Sequence, residues 1–201
     1  MKGGLVHIDV DESATPFHIS APRKVPIPLL EPLRMEIDRM LQMGVIEKVE
    51  QPTDWCHPIV EEIKPNGKIR LCIDLTKLNA VTKRELYQLD STVETLAKIN
   101  NELKVMSKLD ANSGYWQMTL DKESQLKCTF ITPFGRFCPT RAPFDLTSMP
   151  EIFNRKMDEI ISELEGVVKS MDDFLIYGST KEEHNNRLRN FLERMKDNKV
   201  T

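Results

Sequence analysis

Three aspartates stand where their side chains could do chemistry. Asp110 ends an apolar run, Lys108-Leu109-Asp110, just before Ala111-Asn112-Ser113-Gly114. Asp172 and Asp173 sit at the expected tip of an apolar hairpin running from Ser170 through Met171 to Phe174-Leu175-Ile176-Tyr177. Adjacent carboxylates repel, and a partly buried turn raises their pKa unless a cation compensates. Oxygen-only ligands with room for phosphate suit magnesium. Three such groups could hold two ions, one activating an attacking hydroxyl and the other steadying a leaving oxygen. Each piece alone has a plainer reading: an aspartate after a strand forms turns, and an Asp-Asp pair caps a solvated loop. A basic stretch is the second candidate. Lys64, Lys68, Arg70, Lys77, Lys83 and Arg84 share a segment with Asp74 as its one acidic residue. Such a strip suits a polyanionic substrate, or a solvated hairpin face.

The elements that must position these residues follow from punctuation and periodicity. Short apolar runs broken by prolines predict an extended arm to about Pro28. Pro32 in a first turn, Leu33, Ile37, Met40 and Leu41 on one face, and Gly44 as a stop predict a helix. Strands are expected over Val45 to Val49 and Pro58 to Ile63, the latter closed by Asn66-Gly67 into a hairpin with Lys68 to Asp74. Three helices should open on a hydroxyl residue with glutamate three places later: Ser91 with Glu94, Ser148 with Glu151, and Thr180 with Glu183. Phe153, Met157, Ile160, Ile161 and Leu164 line one face of the second. His184, Leu188, Phe191, Leu192 and Met195 line one face of the third. Further strands are expected over Lys104 to Leu109, Gln125 to Ile131, Arg136 to Pro139, Val167 to Ser170 and Phe174 to Tyr177. Hairpins backed by amphipathic helices indicate an α+β layer.

Composition narrows the class. The 28 Lys and Arg nearly balance 31 Asp and Glu, for a net charge of −3, so any nucleic-acid binding must come from a local patch. Cys56, Cys72, Cys128 and Cys138 are scattered, which argues against structural zinc and a disulfide framework and suits a reducing compartment. Leu5 to Val10 is too short and interrupted for a signal peptide or membrane span, so an intracellular chain, cytoplasmic or nuclear, with no membrane partner is expected. His7, His18, His57 and His184 suggest no ligand set, and Trp55 and Trp116 suggest only packing.

The flanking residues bring in a family. Lys108-Leu109-Asp110-Ala111-Asn112-Ser113-Gly114-Tyr115-Trp116-Gln117 closely resembles the first catalytic motif of gypsy-class reverse transcriptases from long-terminal-repeat retrotransposons. Thr132-Pro133-Phe134-Gly135, Arg141-Ala142-Pro143-Phe144, Pro150-Glu151-Ile152-Phe153 and Ser170-Met171-Asp172-Asp173 resemble that family's later blocks, in order. Upstream, Gly44-Val45-Ile46-Glu47, Pro65-Asn66-Gly67-Lys68, Arg70-Leu71-Cys72-Ile73-Asp74 and Leu78-Asn79 resemble its fingers.

The resemblance implies a right-hand polymerase fold of fingers plus palm, with an antiparallel palm sheet backed by helices and the thumb absent. Residues 1–28 would be an arm, 29–90 fingers, and 91–201 palm with the remaining fingers elements. RNase H, protease and integrase modules would be absent too, with other modules of a pol polyprotein among its partners. Asp110 and Asp172 would bridge two magnesium ions, with manganese as a substitute, and Asp173 would complete the cluster. Arg70, with Lys64 or Lys68, would reach the incoming deoxynucleoside triphosphate. Tyr115 would stack under its sugar and Phe144 would line its pocket. The implied reaction is RNA-directed DNA synthesis on a primed RNA or DNA template. Asp145 stands where the family usually has glycine, and Thr76 and Ser170 also depart from its pattern. The alternative is therefore a weak or inactive remnant that keeps the fold and binds nucleic acid.

Overall fold

Helix α1, Ile27–Gln42, starts two turns before its first fully buried residues because Pro28 suits a first helical turn. Leu33, Ile37 and Met40 form its buried stripe, and Pro32 is accommodated inside it. Its end is set by Gly44, at φ 64°. The Gly44 N–H bonds Leu41 O at 2.9 Å and the Val45 N–H bonds Met40 O at 3.1 Å, a Schellman closure that needs a left-handed residue between.

The computed structural model describes residues 1–63, 67, 69–88, 97, 99, 103–170 and 173–201. They form an α+β fold of antiparallel sheets in two contact units. One unit comprises Leu5–Arg84 with Met118–Met149, and the other Met1–Gly4, Glu85–Gln117 and Pro150–Thr201.

In the first unit, β1 (Ile46–Lys48) pairs with β6 (Gly135–Pro139), and β6 with β5 (Phe130–Thr132). Separately, β2 (Ile59–Ile63) pairs with β3 (Ile69–Ile73). Ile63 lies opposite Ile69. The Asn66-Gly67 turn expected between the two strands falls on Asn66, which lies outside the described residues. A short helix, α2 (Thr76–Asn79), follows β3.

The arm is not free. Val6 bridges Leu120, Val10 bridges Thr82 and His18 bridges Cys56. Ser124 Oγ accepts the Ile8 N–H at 2.7 Å, and Lys127 Nζ donates to Ile8 O at 2.9 Å. These contacts reach a helix, α3 (Lys122–Lys127), where a strand was expected from Gln125. The Asp121 carboxylate accepts the Ser124 N–H at 2.8 Å and starts this turn. The alternation after it becomes a strand only from Phe130. All four cysteines are free. Burial, then the nearby Glu47, pushes the Cys138 thiol up to about 12.

In the second unit, the sheet runs β4-β8-β7, with β4 Val105–Asp110, β7 Val167–Ser170 and β8 Asp173–Gly178. Helices α4 (Met149–Ile161) and α5 (Lys181–Asp197) accompany it. Ser148 Oγ has no hydrogen-bond partner among the described residues, so the expected cap at α4 does not form. Thr180 does cap α5, accepting the Glu183 N–H at 3.2 Å, while Glu183 accepts the Ser179 N–H at 2.8 Å. His184, Phe191 and Met195 are buried along α5, but Leu192 is 51% exposed. Phe191 meets Phe174 of β8 at 5.2 Å between ring centroids. The helix expected at Ser91 and Glu94 lies outside the described residues.

Two stability consequences follow. His57 is fully buried, stacked on Trp55, with Nε2 donating to the Lys127 carbonyl at 3.0 Å and Nδ1 unpartnered among the described residues. Burial holds its pKa below the ordinary histidine value. The unfolded chain therefore takes up this proton first as pH falls, and the stability present above about pH 6.5 is lost below it. Thermal melts from pH 7 to pH 5 should show a shallower decline in Tm for His57→Gln than for the natural chain. At the end of α5, Lys199 occupies the left-handed position at φ 54° in a second Schellman closure, with Val200 N–H on Met195 O at 2.9 Å. Lys199→Gly should stabilise the fold by roughly 1 kcal/mol, read as a higher Tm.

Candidate active site

Alternation along β4 places Met106, Lys108 and Asp110 on its exposed face, while Val105, Ser107 and Leu109 are half-buried. The register with β8 sets Asp110 opposite Asp173, Lys108 opposite Leu175 and Met106 opposite Tyr177. On the other face, Leu109 meets Phe174 and Ser107 meets Ile176, on the side that α5 covers. There His184 Nε2 and Ser107 Oγ are 3.0 Å apart. Directly opposed residues in an antiparallel pair have Cα atoms about 4.5–5.5 Å apart. Asp110 and Asp173 are thus neighbours at one end of the sheet. Ser170 pairs with Asp173, leaving Met171 and Asp172 between them. Asp172 lies outside the described residues, as do Lys64 and Lys68.

Lys108 completes the described charge cluster. Its Nζ is 2.7 Å from Asp173 Oδ2, with the two side chains 67% and 43% exposed. The hydrogen bond to Asp173 and that carboxylate's charge, with a smaller contribution from Asp110, hold the Lys108 ammonium above the ordinary lysine range. The donor set fits a hard divalent cation: two neighbouring carboxylates facing solvent, oxygen only, with coordination positions left for water or phosphate. Among the described residues, no three His, Cys, Asp or Glu side chains gather closely enough to hold an ion unaided.

The loop after Asp110 is tied down by groups whose role the sequence did not announce. The Asn112 N–H donates to Thr201 O at 2.9 Å. Gln117 Nε2 donates to the same oxygen at 2.7 Å and to Asn112 O at 2.8 Å. Ser113 turns through φ 50°, and a 3-10 turn then carries Gly114–Gln117. Tyr115 lies edge-on to Phe153 of α4, 5.5 Å between centroids. Gly114 permits this approach, because a Cβ there would stand 3.0 Å from Phe153 Cζ.

The remaining candidates belong to the other unit. Arg70 projects from the face of β3 that also carries Cys72, across from Glu62 and Val60 of β2. Its guanidinium lies 5.1 Å from the centre of the Phe144 ring. Asn79 anchors the segment beyond Phe144, with Nδ2 donating to Asp145 O at 2.8 Å and Oδ1 accepting the Thr147 N–H at 3.0 Å. Burial, and then the charge of Asp145, pushes the Cys72 thiol up. Parity could have found Lys108, since residues two apart on a strand share a face. Nothing local in sequence marks Asn79 or Gln117, whose partners are remote.

A family model described as reverse transcriptase (RNA-dependent DNA polymerase) matches residues 63–201. An uncharacterized protein of Caenorhabditis elegans is 35% identical over 190 residues, covering 93% of this chain and 15% of that protein. The retrovirus-related Pol polyprotein from transposon opus of Drosophila melanogaster is 31% identical over 171 residues, covering 82% and 17%. The enzymatic polyprotein of cauliflower mosaic virus (strain Strasbourg) is 30% identical over 158 residues, covering 75% and 23%. The chain thus spans less than a quarter of the length of these relatives. Among solved structures, the native prototype foamy virus protease-reverse transcriptase superposes with a TM-score of 0.82 at 21% identity, covering 94% of this chain and 25% of that one. The foamy viral enzyme in complex with an RNA/DNA hybrid gives 0.79 at 19% identity, covering 92% and 24%.

The Gly114 contact gives a direct test of how the loop is held. Gly114→Ala should force the Phe153 ring to shift, loosening the Tyr115 packing at a cost of about 1–3 kcal/mol. A lower Tm together with a weakened near-ultraviolet circular dichroism signal would register it.

Proposed function

Since this chain belongs to the reverse transcriptase (RNA-dependent DNA polymerase) family, we propose that it forms the fingers and palm of a polymerase encoded by a gypsy-class long-terminal-repeat retrotransposon. The observation that carries the reading is Asp110 set directly opposite Asp173 at the end of the β4–β8 pair. The reaction is attack of a primer 3′-hydroxyl on the α-phosphate of a deoxynucleoside triphosphate, directed by an RNA or DNA template. Asp110, Asp172 and Asp173 would hold magnesium, or manganese in its place, and the ions would supply charge neutralisation at the reacting phosphate and a lowered pKa for the attacking hydroxyl.

The protein's own share is positioning. Unit Met1–Gly4, Glu85–Gln117 and Pro150–Thr201 is the palm, and Leu5–Arg84 with Met118–Met149 the fingers. In the palm, the edge-on packing against Phe153 fixes the ring of Tyr115, the residue proposed to lie under the nucleotide sugar. In the fingers, the Phe144 ring steadies the Arg70 guanidinium as a phosphate-binding cation, with Lys64 and Lys68 as further cations. The chain works inside the cell as part of a longer pol polyprotein.

Asp145 favours a second reading. Its charge acts on Cys72, which shares a face of β3 with Arg70, and a negative charge there would oppose a triphosphate. On that reading the chain polymerises weakly or not at all and retains nucleic-acid binding. Primer extension on a short RNA template with deoxynucleotides and magnesium separates the two. Nucleotide addition should fall at least ~100-fold in Asp110→Asn and in Asp173→Asn, as expected when groups that stabilise the transition state are removed. Addition that survives both changes would sink the polymerase reading. No addition by the natural chain or by Asp145→Gly, with salt-dependent binding of primer-template retained, would establish the second.

A further inference from the structure

We propose that Lys108 is a tethered counter-cation for the acidic pair, held on Asp173 until a divalent ion displaces it, so that it sets the ion affinity of the site. The inference rests on reading Asp110 and Asp173 as metal ligands.

Strand parity and register bring the three charges together. Lys108 and Asp110 are two residues apart on β4 and share its exposed face. Lys108 lies opposite Leu175, and Asp173, two residues from Leu175, is its diagonal neighbour across the pair. A long side chain spans that diagonal, and Lys108 Nζ reaches Asp173 Oδ2 at 2.7 Å. Two carboxylates directly opposite one another repel. Among the described residues, Lys108 is the cation that forms an ion pair with either of them.

Both sides of the pair are substantially exposed, so water screens it and it exchanges readily. That is the requirement for a placeholder. A buried, fully bonded lysine would shut an ion out, whereas this ammonium occupies one carboxylate oxygen and can be traded for an ion of higher charge. The exchange conserves bonds simply: the N–H···O contact to Asp173 opens, an oxygen–metal contact forms, and the ammonium returns to solvent with its proton. Lys108 therefore keeps the opposed carboxylates tolerable in the ion-free chain and weakens ion binding by a fixed factor.

Manganese titration by isothermal calorimetry at constant ionic strength, on the full chain, tests this without any reliance on catalysis. Lys108→Met should bind manganese about two- to five-fold more tightly than the natural chain, the range set by a solvent-exposed ion pair. Lys108→Arg should bind as the natural chain does. Lys104→Met, which removes a charge just before the same strand, should also leave affinity unchanged and so exclude a general field effect. In an Asp173→Asn background the Lys108→Met gain should vanish. Equal or weaker binding by Lys108→Met, with Asp173-dependent binding present in the natural chain, would overturn the inference and leave the metal-ligand reading standing. Absence of Asp173-dependent binding in both the natural chain and Lys108→Met would overturn both together. Melting curves of each ion-free variant confirm that affinities are compared between folded chains.

Discussion

Two carboxylates held face to face by strand pairing are the constraint on which the β4-β8-β7 sheet turns. A like-charged pair directly across an antiparallel ladder is destabilising by a few tenths to about 1 kcal/mol. The opposite face of the same sheet overrides it. Phe174 and Ile176 of β8 are buried there with Phe191 of α5, and each buried side chain of that size contributes about 1.5–3 kcal/mol. The register that seats the apolar residues is the one that opposes Asp110 and Asp173, because a slip by one residue would turn every side chain to the wrong face. Function is thereby coupled to packing through parity alone.

In the unit of Leu5–Arg84 and Met118–Met149, Arg70 is set over the Phe144 ring, which attracts the guanidinium. Asn79 holds the chain just beyond that ring with both ends of its amide, satisfying two backbone groups at once. The departure at Asp145 falls on the residue whose carbonyl this amide grips, so the backbone is restrained there whatever the side chain does.

Much of this could be read from the chain, because strong periodicity and short-range punctuation survive folding. The α1 stripe, the Gly44 stop, the Thr180 cap and both β strands of the acidic site follow from local patterns. The failures share a cause. The segment from Gln125 alternates well enough for a strand, yet the Asp121 cap redirects it into α3, and a cap outweighs alternation over so short a stretch. Ser148 and Glu151 have the spacing of a capping box, yet both are buried, and Ser148 makes no cap bond. At the candidate site, residue type and spacing pointed to Asp110 and Asp173, while the roles of Arg70 and Tyr115 came only with the family resemblance. The restraints on them, Gln117 to Thr201 and Asn79 to Asp145, join positions too distant in sequence for any local pattern to link.

The division into units carries a consequence for how the chain reaches its native state. Each unit is assembled from separated stretches, with Met118–Met149 of one lying between Glu85–Gln117 and Pro150–Thr201 of the other. Strand β4 therefore leaves the ribosome well before β8 exists to pair with it, and the intervening stretch must meanwhile find β1 and close the other sheet. Long-range pairing of this kind raises contact order and slows folding. Asp110 and Asp173 are brought into opposition only once β8 has been made, so a product that ends before β8 presents an unpaired β4 edge rather than the opposed carboxylates.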